Sequence, residues 1–195
     1  INEKGQEVNG DQLLALIARF WKKSNRLKCN GLVATVMSNL GLEKYLKDIG
    51  INLKRTPVGD RYVVEEMRRS NYNLGGEQSG HIIMTDYMTT GDGLVAALQC
   101  LSAIVLEGKL ASELLNQFDP YPQIIKNVKY GPEIDIFEIE SVKRVISECE
   151  KKLGTDGRLL IRRSGTEPLF RIMAEHSDAK LVDEIVETIS YEIKS

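Results

Sequence analysis

The chain has 195 residues, 42% of them hydrophobic, with 26 Lys and Arg against 28 Asp and Glu for a formal net charge of -2. That balance gives no basic footprint for nucleic acid and no polybasic membrane signal, no apolar run approaches the roughly 20 residues of a spanning helix, and no signal-peptide pattern opens the chain, so the expected location is the cytoplasm. Cys29, Cys100 and Cys149 are far apart and odd in number, with only His81 and His176 as companions, so neither a disulfide framework nor a metal site is expected from these residues.

Ile1-Asn2-Glu3-Lys4 runs without an initiator Met into a polar, hairpin-like segment ending at Val8-Asn9-Gly10, which reads as a start in mid-domain. From Asp11, the expected N-cap, Leu13, Leu16, Ile17, Phe20 and Trp21 recur at helical spacing, and Lys22-Lys23 suits a helix C-terminus. Ser24 to Cys29 is polar and reads as a linker. Leu32 to Val36 predicts a buried strand, and Leu42, Tyr45, Leu46 and Ile49 share one helical face ending at Gly50. Strand followed by helix begins an α/β unit. Ile51 to Thr56 predicts the next strand, Pro57 to Asp60 a turn, and Val63, Val64 and Met67 the inner face of a short helix. Ile82-Ile83-Met84 predicts another strand. Thr89 to Gly93 then leads into an almost wholly apolar helix from Leu94 to about Leu106, with Asp92 as cap and Gly108 as stop, expected to be central and buried.

Phe118-Asp119-Pro120-Tyr121-Pro122 disfavours continued helix and marks a domain boundary. Beyond it, Gln123 to Tyr130 alternates as a strand does, and Ile139, Val142, Val145, Ile146 and Cys149 form a helix face running to about Leu153. Arg158 to Arg162 and Phe170 to Ala174 predict two strands, and Val182, Ile185, Ile189 and Ile193 a last helix. The expected architecture is an α/β domain with a mixed sheet, then a small α+β domain with an antiparallel sheet and two helices.

Two loops carry polar groups suited to a ligand. Gly75-Gly76-Glu77-Gln78-Ser79-Gly80-His81 combines glycines that permit close backbone approach with an acid, a hydroxyl and an imidazole. Arg162 to Arg171 has the parts of a phosphate cradle: guanidinium forks, the Ser164 and Thr166 hydroxyls, and Gly165 for converging backbone N–H groups. For both, a plain turn remains the other reading, with polar side chains bonded to their own backbone or solvated. Glu167 argues against a pure anion site in the second. Asp92 is accounted for as a helix cap.

Asp11 to Leu14, Ala34 to Gly41, Val58 to Val63, Gly75 to His81, Thr89 to Gly93 and Ser164 to Pro168, in this order, resemble the C-terminal half of the α-D-phosphohexomutase superfamily, most closely its bacterial phosphoglucosamine mutase branch. The resemblance covers essentially the whole chain. It implies an isomerase whose domains surround a cleft and which interconverts glucosamine 6-phosphate and glucosamine 1-phosphate on the way to UDP-N-acetylglucosamine and the cell wall. An active-site phosphoserine in domain 1 and a Mg²⁺ held in domain 2 act through a bisphosphate intermediate. It assigns residues 1–23 to the end of domain 2, 24–117 to domain 3 and 118–195 to domain 4. Glu77 and Ser79 are then expected at sugar hydroxyls, His81 at the reacting centre for proton transfer or positioning, and Gly59, Asp60 and Arg61 in a loop that selects sugar orientation. Arg162, Ser164, Gly165, Thr166 and Arg171 would hold the phosphate that is not transferred. Arg163 stands where such mutases commonly have proline. No phosphoserine motif and no Asp-Gly-Asp-x-Asp-Arg metal string occurs here. Magnesium is therefore expected only in the full-length enzyme, the missing domains are expected partners, and this chain alone is expected to be inactive. A phosphomannomutase/phosphoglucomutase of the same superfamily and a non-catalytic sugar-phosphate-binding module are the alternatives; Gln78 within Gly-Glu-Gln-Ser-Gly favours the amino-sugar branch.

Overall fold

The structure, a computed structural model, describes residues 1–129, 136–164 and 167–194. The apolar run after the first helix becomes β1 (Gly31–Thr35), buried at every position, as a strand covered on both faces must be. It pairs in parallel with β2 (Asn52–Thr56) and β3 (Leu74–Gly76), and β3 turns back antiparallel into β4 (Ile82–Met84), giving the mixed order β2-β1-β3-β4. Flanking the sheet are α1 (Gly10–Lys23), α2 (Leu40–Asp48), α3 (Asp60–Ser70) and α4 (Gly93–Glu107), with a short α5 (Ala111–Leu114) after them.

Strand alternation sorts the helices between the two faces. Leu32, Ala34, Leu74, Ile82 and Met84 share a core with Leu14, Trp21, Leu42, Leu46 and Ala96, so α1, α2 and α4 lie on one side. Val33 and Ile83 meet Val63 and Met67 of α3 on the other. Residues 1–23, expected to close a preceding domain, belong to the same compact unit as the sheet, Ile1–Pro120. The segment expected as a linker is a pinned connection: the buried Asn73 side chain accepts from Lys28 N–H and donates to Arg26 C=O, both at 2.9 Å.

Two local expectations change. The cap of α1 is Asn9, whose Oδ1 accepts from Asp11 N–H at 2.9 Å. Asp11 is buried in the first turn and accepts from Asn39 N–H at 2.8 Å, joining α1 to the cap of α2. More consequentially, α4 is not buried. It packs through Ala96, Cys100 and Ala103, with Val95 and Ile104 partly buried beside them, and leaves Leu94, Leu98, Leu101, Val105 and Leu106 exposed, because it lies at the outer layer against α1 and β4 and only one side finds a partner.

The second compact unit is Tyr121–Ser195. Here β5 (Gln123–Lys129), β6 (Arg158–Arg163) and β7 (Leu169–Glu175) form an antiparallel sheet of order β5-β7-β6. Val128, Ile172 and Ala174 pack against Cys149 and Leu153 of α6 (Glu140–Leu153) and Val182, Ile185 and Ile189 of α7 (Ala179–Lys194). By alternation Asn127, Arg162, Arg171 and Glu175 belong to the opposite sheet face. The buried Glu175 carboxylate there accepts from Arg158 at 2.8 Å and Gln123 at 2.6 Å. The α+β expectation for this part of the chain is met.

Burial pushes the Cys100 thiol up to about 11 and raises Cys149 as well, whereas Cys29 is exposed. One thiol per native chain should therefore react with a maleimide at pH 7, with Cys100 and Cys149 following only on unfolding; peptide mapping of the labelled chain checks this.

Candidate functional site

The glycine-rich stretch is a hairpin whose form is dictated by lack of room. A Cβ on Gly75 would lie 2.7 Å from Met67 Sδ and 2.8 Å from Val63 Cγ1, and one on Gly76 would lie 2.7 Å from His81 O and 3.2 Å from Leu14 Cδ2. The helices on both faces thus press directly on the backbone of β3. Gly76 pairs with Ile82, Glu77 N–H donates to His81 C=O at 3.0 Å, and Gly10 N–H donates to Gln78 C=O at 3.1 Å, tying the turn to the start of α1.

That turn brings three of the expected loops together. Glu77 Oε1 accepts from Gly59 N–H at 3.0 Å, placing a carboxylate on the N-cap of α3, where the helix dipole favours negative charge. Gly59 itself has φ +130 and ψ 130, a conformation that side-chain-bearing residues rarely adopt. Asp60 opens α3, and its Oδ2 lies 3.6 Å from His81 Nε2. At that separation an ion pair forms only with an imidazolium, and no hydrogen bond is made; Nε2 is shielded from solvent without a hydrogen-bond partner. Gly91, in the loop before α4, backs the imidazole, since a Cβ there would lie 2.4 Å from Nε2. Ser79 is exposed at the tip of the turn. Arg61 is exposed, 3.3 Å from Glu65 and stacked on Tyr62 with its guanidinium carbon 5.1 Å from the ring centroid. Glu77 is thus held by a backbone amide and His81 lies between Gly91 and Asp60, whereas Ser79, Asp60 and Arg61 are exposed.

In the second unit Arg162 and Arg171 are direct cross-strand partners. Burial, and then the Arg171 charge, hold the Arg162 guanidinium below its ordinary pKa. Like charges directly opposite on a sheet are unfavourable, and Arg171 Nε is buried without a hydrogen-bond partner. Two crowded guanidiniums, one with an unpaired donor, form a site that an oxyanion would stabilise. Asn127, the partner of Arg171 on β5, completes the row; the sequence reading missed it because only strand register reveals it. Ser164 N–H donates to Leu169 C=O at 2.9 Å, which closes the loop, and Arg163 stacks over Phe170, 5.6 Å from the ring centroid. Gly165 and Thr166, expected in the cradle, lie outside the described residues. Among the described residues, no group of three or more His, Cys, Asp or Glu could hold a metal ion.

Residues 9–121 match the model for the phosphoglucomutase/phosphomannomutase alpha/beta/alpha domain III, and residues 125–190 match the C-terminal domain of the same family. The phosphoglucosamine mutase of Paracoccus denitrificans is 56% identical over 189 residues, 97% of this chain and 42% of that protein. The phosphoglucosamine mutase of Rhodospirillum rubrum is 59% identical over 188 residues, 95% of this chain and 41% of that protein. The chain therefore spans about two fifths of the length of these relatives. In fold it is similar to the N-acetylphosphoglucosamine mutase of Aspergillus fumigatus, solved with GlcNAc-6P and magnesium, at a TM-score of 0.79 and 18% identity, covering 95% of this chain and 46% of that one.

Removing one member of the cationic pair should separate folding from binding. Arg171→Gln is expected to raise the phosphate-free stability of the chain by about 0.2–1 kcal/mol, through loss of like-charge repulsion, and to abolish the rise in melting temperature that inorganic phosphate gives the unsubstituted chain. Thermal denaturation with and without phosphate measures both.

Proposed function

The chain belongs to the phosphoglucomutase/phosphomannomutase family, and we propose that it is the sugar- and phosphate-binding C-terminal part of a phosphoglucosamine mutase, interconverting glucosamine 6-phosphate and glucosamine 1-phosphate through a bisphosphate intermediate. The observation that carries the binding role is the Arg162–Arg171 pair, two guanidiniums opposed across a sheet with a buried unpartnered Nε. The amino-sugar branch is supported by the identity of 56 to 59% to phosphoglucosamine mutases.

In this reading Arg162 and Arg171 hold the phosphate that is not being transferred, with Ser164, Gly165 and Thr166 closing the cradle. Glu77 and Ser79 take sugar hydroxyls. The bond from Gly59 N–H fixes one oxygen of Glu77, so its carboxylate arrives oriented. His81, whose Nε2 lies 3.6 Å from Asp60 Oδ2, is placed for proton transfer or positioning at the reacting hydroxyl. Gly59 and Arg61 shape the loop that accepts either orientation of the sugar. A substrate that must bind in two poses is well served by one fixed clamp and a hydroxyl reader tolerant of both. The phosphoserine donor and Mg²⁺, which supply and assist phosphoryl transfer, belong to domains 1 and 2 of the same protein. No step is assigned to a metal held by this chain. We take the third domain to include α1, whose Leu14 and Trp21 share the core of the sheet, in keeping with the match over residues 9–121, and the C-terminal domain to begin near Pro120. No helix among the described residues is long and apolar enough to cross a membrane, and we place the enzyme in the cytoplasm, on the route to UDP-N-acetylglucosamine and peptidoglycan.

In the full-length protein Arg162→Ala should weaken glucosamine 6-phosphate binding by about 1.5–3 kcal/mol, as expected for loss of a charged hydrogen-bond partner; isothermal titration measures it, and unchanged affinity would remove the clamp. Full-length protein should turn over glucosamine phosphates faster than mannose or glucose phosphates, whereas the purified 195-residue chain should show no turnover. Preference for mannose phosphate would move the assignment to the phosphomannomutase/phosphoglucomutase branch, and turnover by the chain alone would refute the division of labour.

A further inference from the structure

The sequence of α4 and its surroundings disagree. Of the 15 residues Gly93–Glu107, the one charged residue is Glu107, held by Arg19 at 3.0 Å. Yet Leu94 is 73% exposed, Leu98 55%, Leu101 53%, Val105 76% and Leu106 71%. Positions 94, 98, 101 and 105 line a single stripe of the helix, and Leu110, also exposed, extends it beyond the Gly108 cap. A helix apolar on every side is a buried helix, and contiguous apolar surface of this kind marks an interface.

We propose that this face of α4 is the docking surface for the part of the polypeptide that precedes Ile1 in the full-length protein, a partner presenting apolar side chains. The inference rests on the reading of the chain as part of a longer mutase. Two observations select this occupant. The chain matches the third and C-terminal domains of its family and spans only 41 to 42% of its bacterial relatives, so most of such a protein lies outside it. The first residues run beside α5, which begins four residues after the end of α4. Glu3 Oε2 accepts from Ser112 N–H of α5 at 3.0 Å, and Asn2, Gln6 and Glu7 line a cleft of about 410 Å³ together with Ser112, Leu115 and Asn116. Polypeptide arriving at Ile1 therefore passes a few residues from Leu106 and Leu110, and its apolar surface needs no long tether to reach the stripe.

The test places a cysteine at Leu98 (Leu98→Cys) in a Cys29→Ser background and compares maleimide labelling of the full-length protein with that of the 195-residue chain. Expected is the rate of an exposed thiol in the chain and labelling slowed at least roughly tenfold in the full-length protein, the factor given by about 1.4 kcal/mol of protection. Equal rates overturn the inference. Protection already present in the chain also overturns it, in favour of a second copy if light scattering shows a dimer, and of cover by the chain's own second unit if it shows a monomer. A second pair of variants gives an independent reading: Leu98→Lys with Leu101→Lys should lower the melting temperature of the full-length protein and leave that of the chain unchanged or higher, and an equal fall in both contradicts the proposal. Mutase turnover of the full-length protein, read on the same samples, separates the two ideas. Turnover with fast labelling sinks the docking surface alone, and slow labelling without turnover sinks the mutase reading alone.

Discussion

The candidate sugar site depends on a steric constraint at the backbone of β3. Gly75 has α3 side chains against one face closer than a Cβ would allow, and Gly76 has the His81 carbonyl at such a distance with Leu14 of α1 tight against it. The hairpin that follows is thereby fixed in height between two helical layers, and its turn emerges beside the N-terminus of α3. Once there, the Glu77 carboxylate meets the Gly59 amide and His81 meets Asp60. Neither contact involves neighbours in sequence; both follow from how tightly the sheet is clasped. The glycines that resemble a ligand-approach motif thus act first as packing residues, and the polar groups between them inherit their positions.

The two units offer different chemistry. In the first, the Glu77 carboxylate meets the N-terminus of α3 and the His81 imidazole lies beside Asp60, a set of groups that can pair with hydroxyls. In the second, two guanidiniums face each other across adjacent strands, and the burial of one of them lowers its pKa. Like charges directly opposed across adjacent strands are unfavourable in the folded sheet, whereas the Glu77 carboxylate has its partner in the Gly59 amide.

The outer helix of the first unit shows how composition can mislead about position and still be informative about assembly. Its all-round apolar sequence predicts burial, and within Ile1–Pro120 only the Ala96, Cys100 and Ala103 stripe is buried. The physical rule, that such surface must leave water, holds. What differs is where the covering atoms come from.

Much of the architecture is legible from periodicity. The strands, the helix faces and the break near Pro120 follow from local spacing and turn residues, because hydrophobic alternation is a local property. The motif order likewise carries the family resemblance. Several features rest on contacts between residues distant in sequence, and no local signal carries them. The cap of α1 moved from Asp11 to Asn9 because Asp11 is drawn to Asn39 N–H. Asn127 joins the row of Arg162 and Arg171 only through strand register. Gly91 came to back His81 through a bridge between Ile83 and Gly91. By itself the sequence determined which residue types could bind a sugar phosphate, since that is a matter of chemical groups; tertiary structure decided which of them share a site, since that depends on how two helical layers close on one pair of glycines.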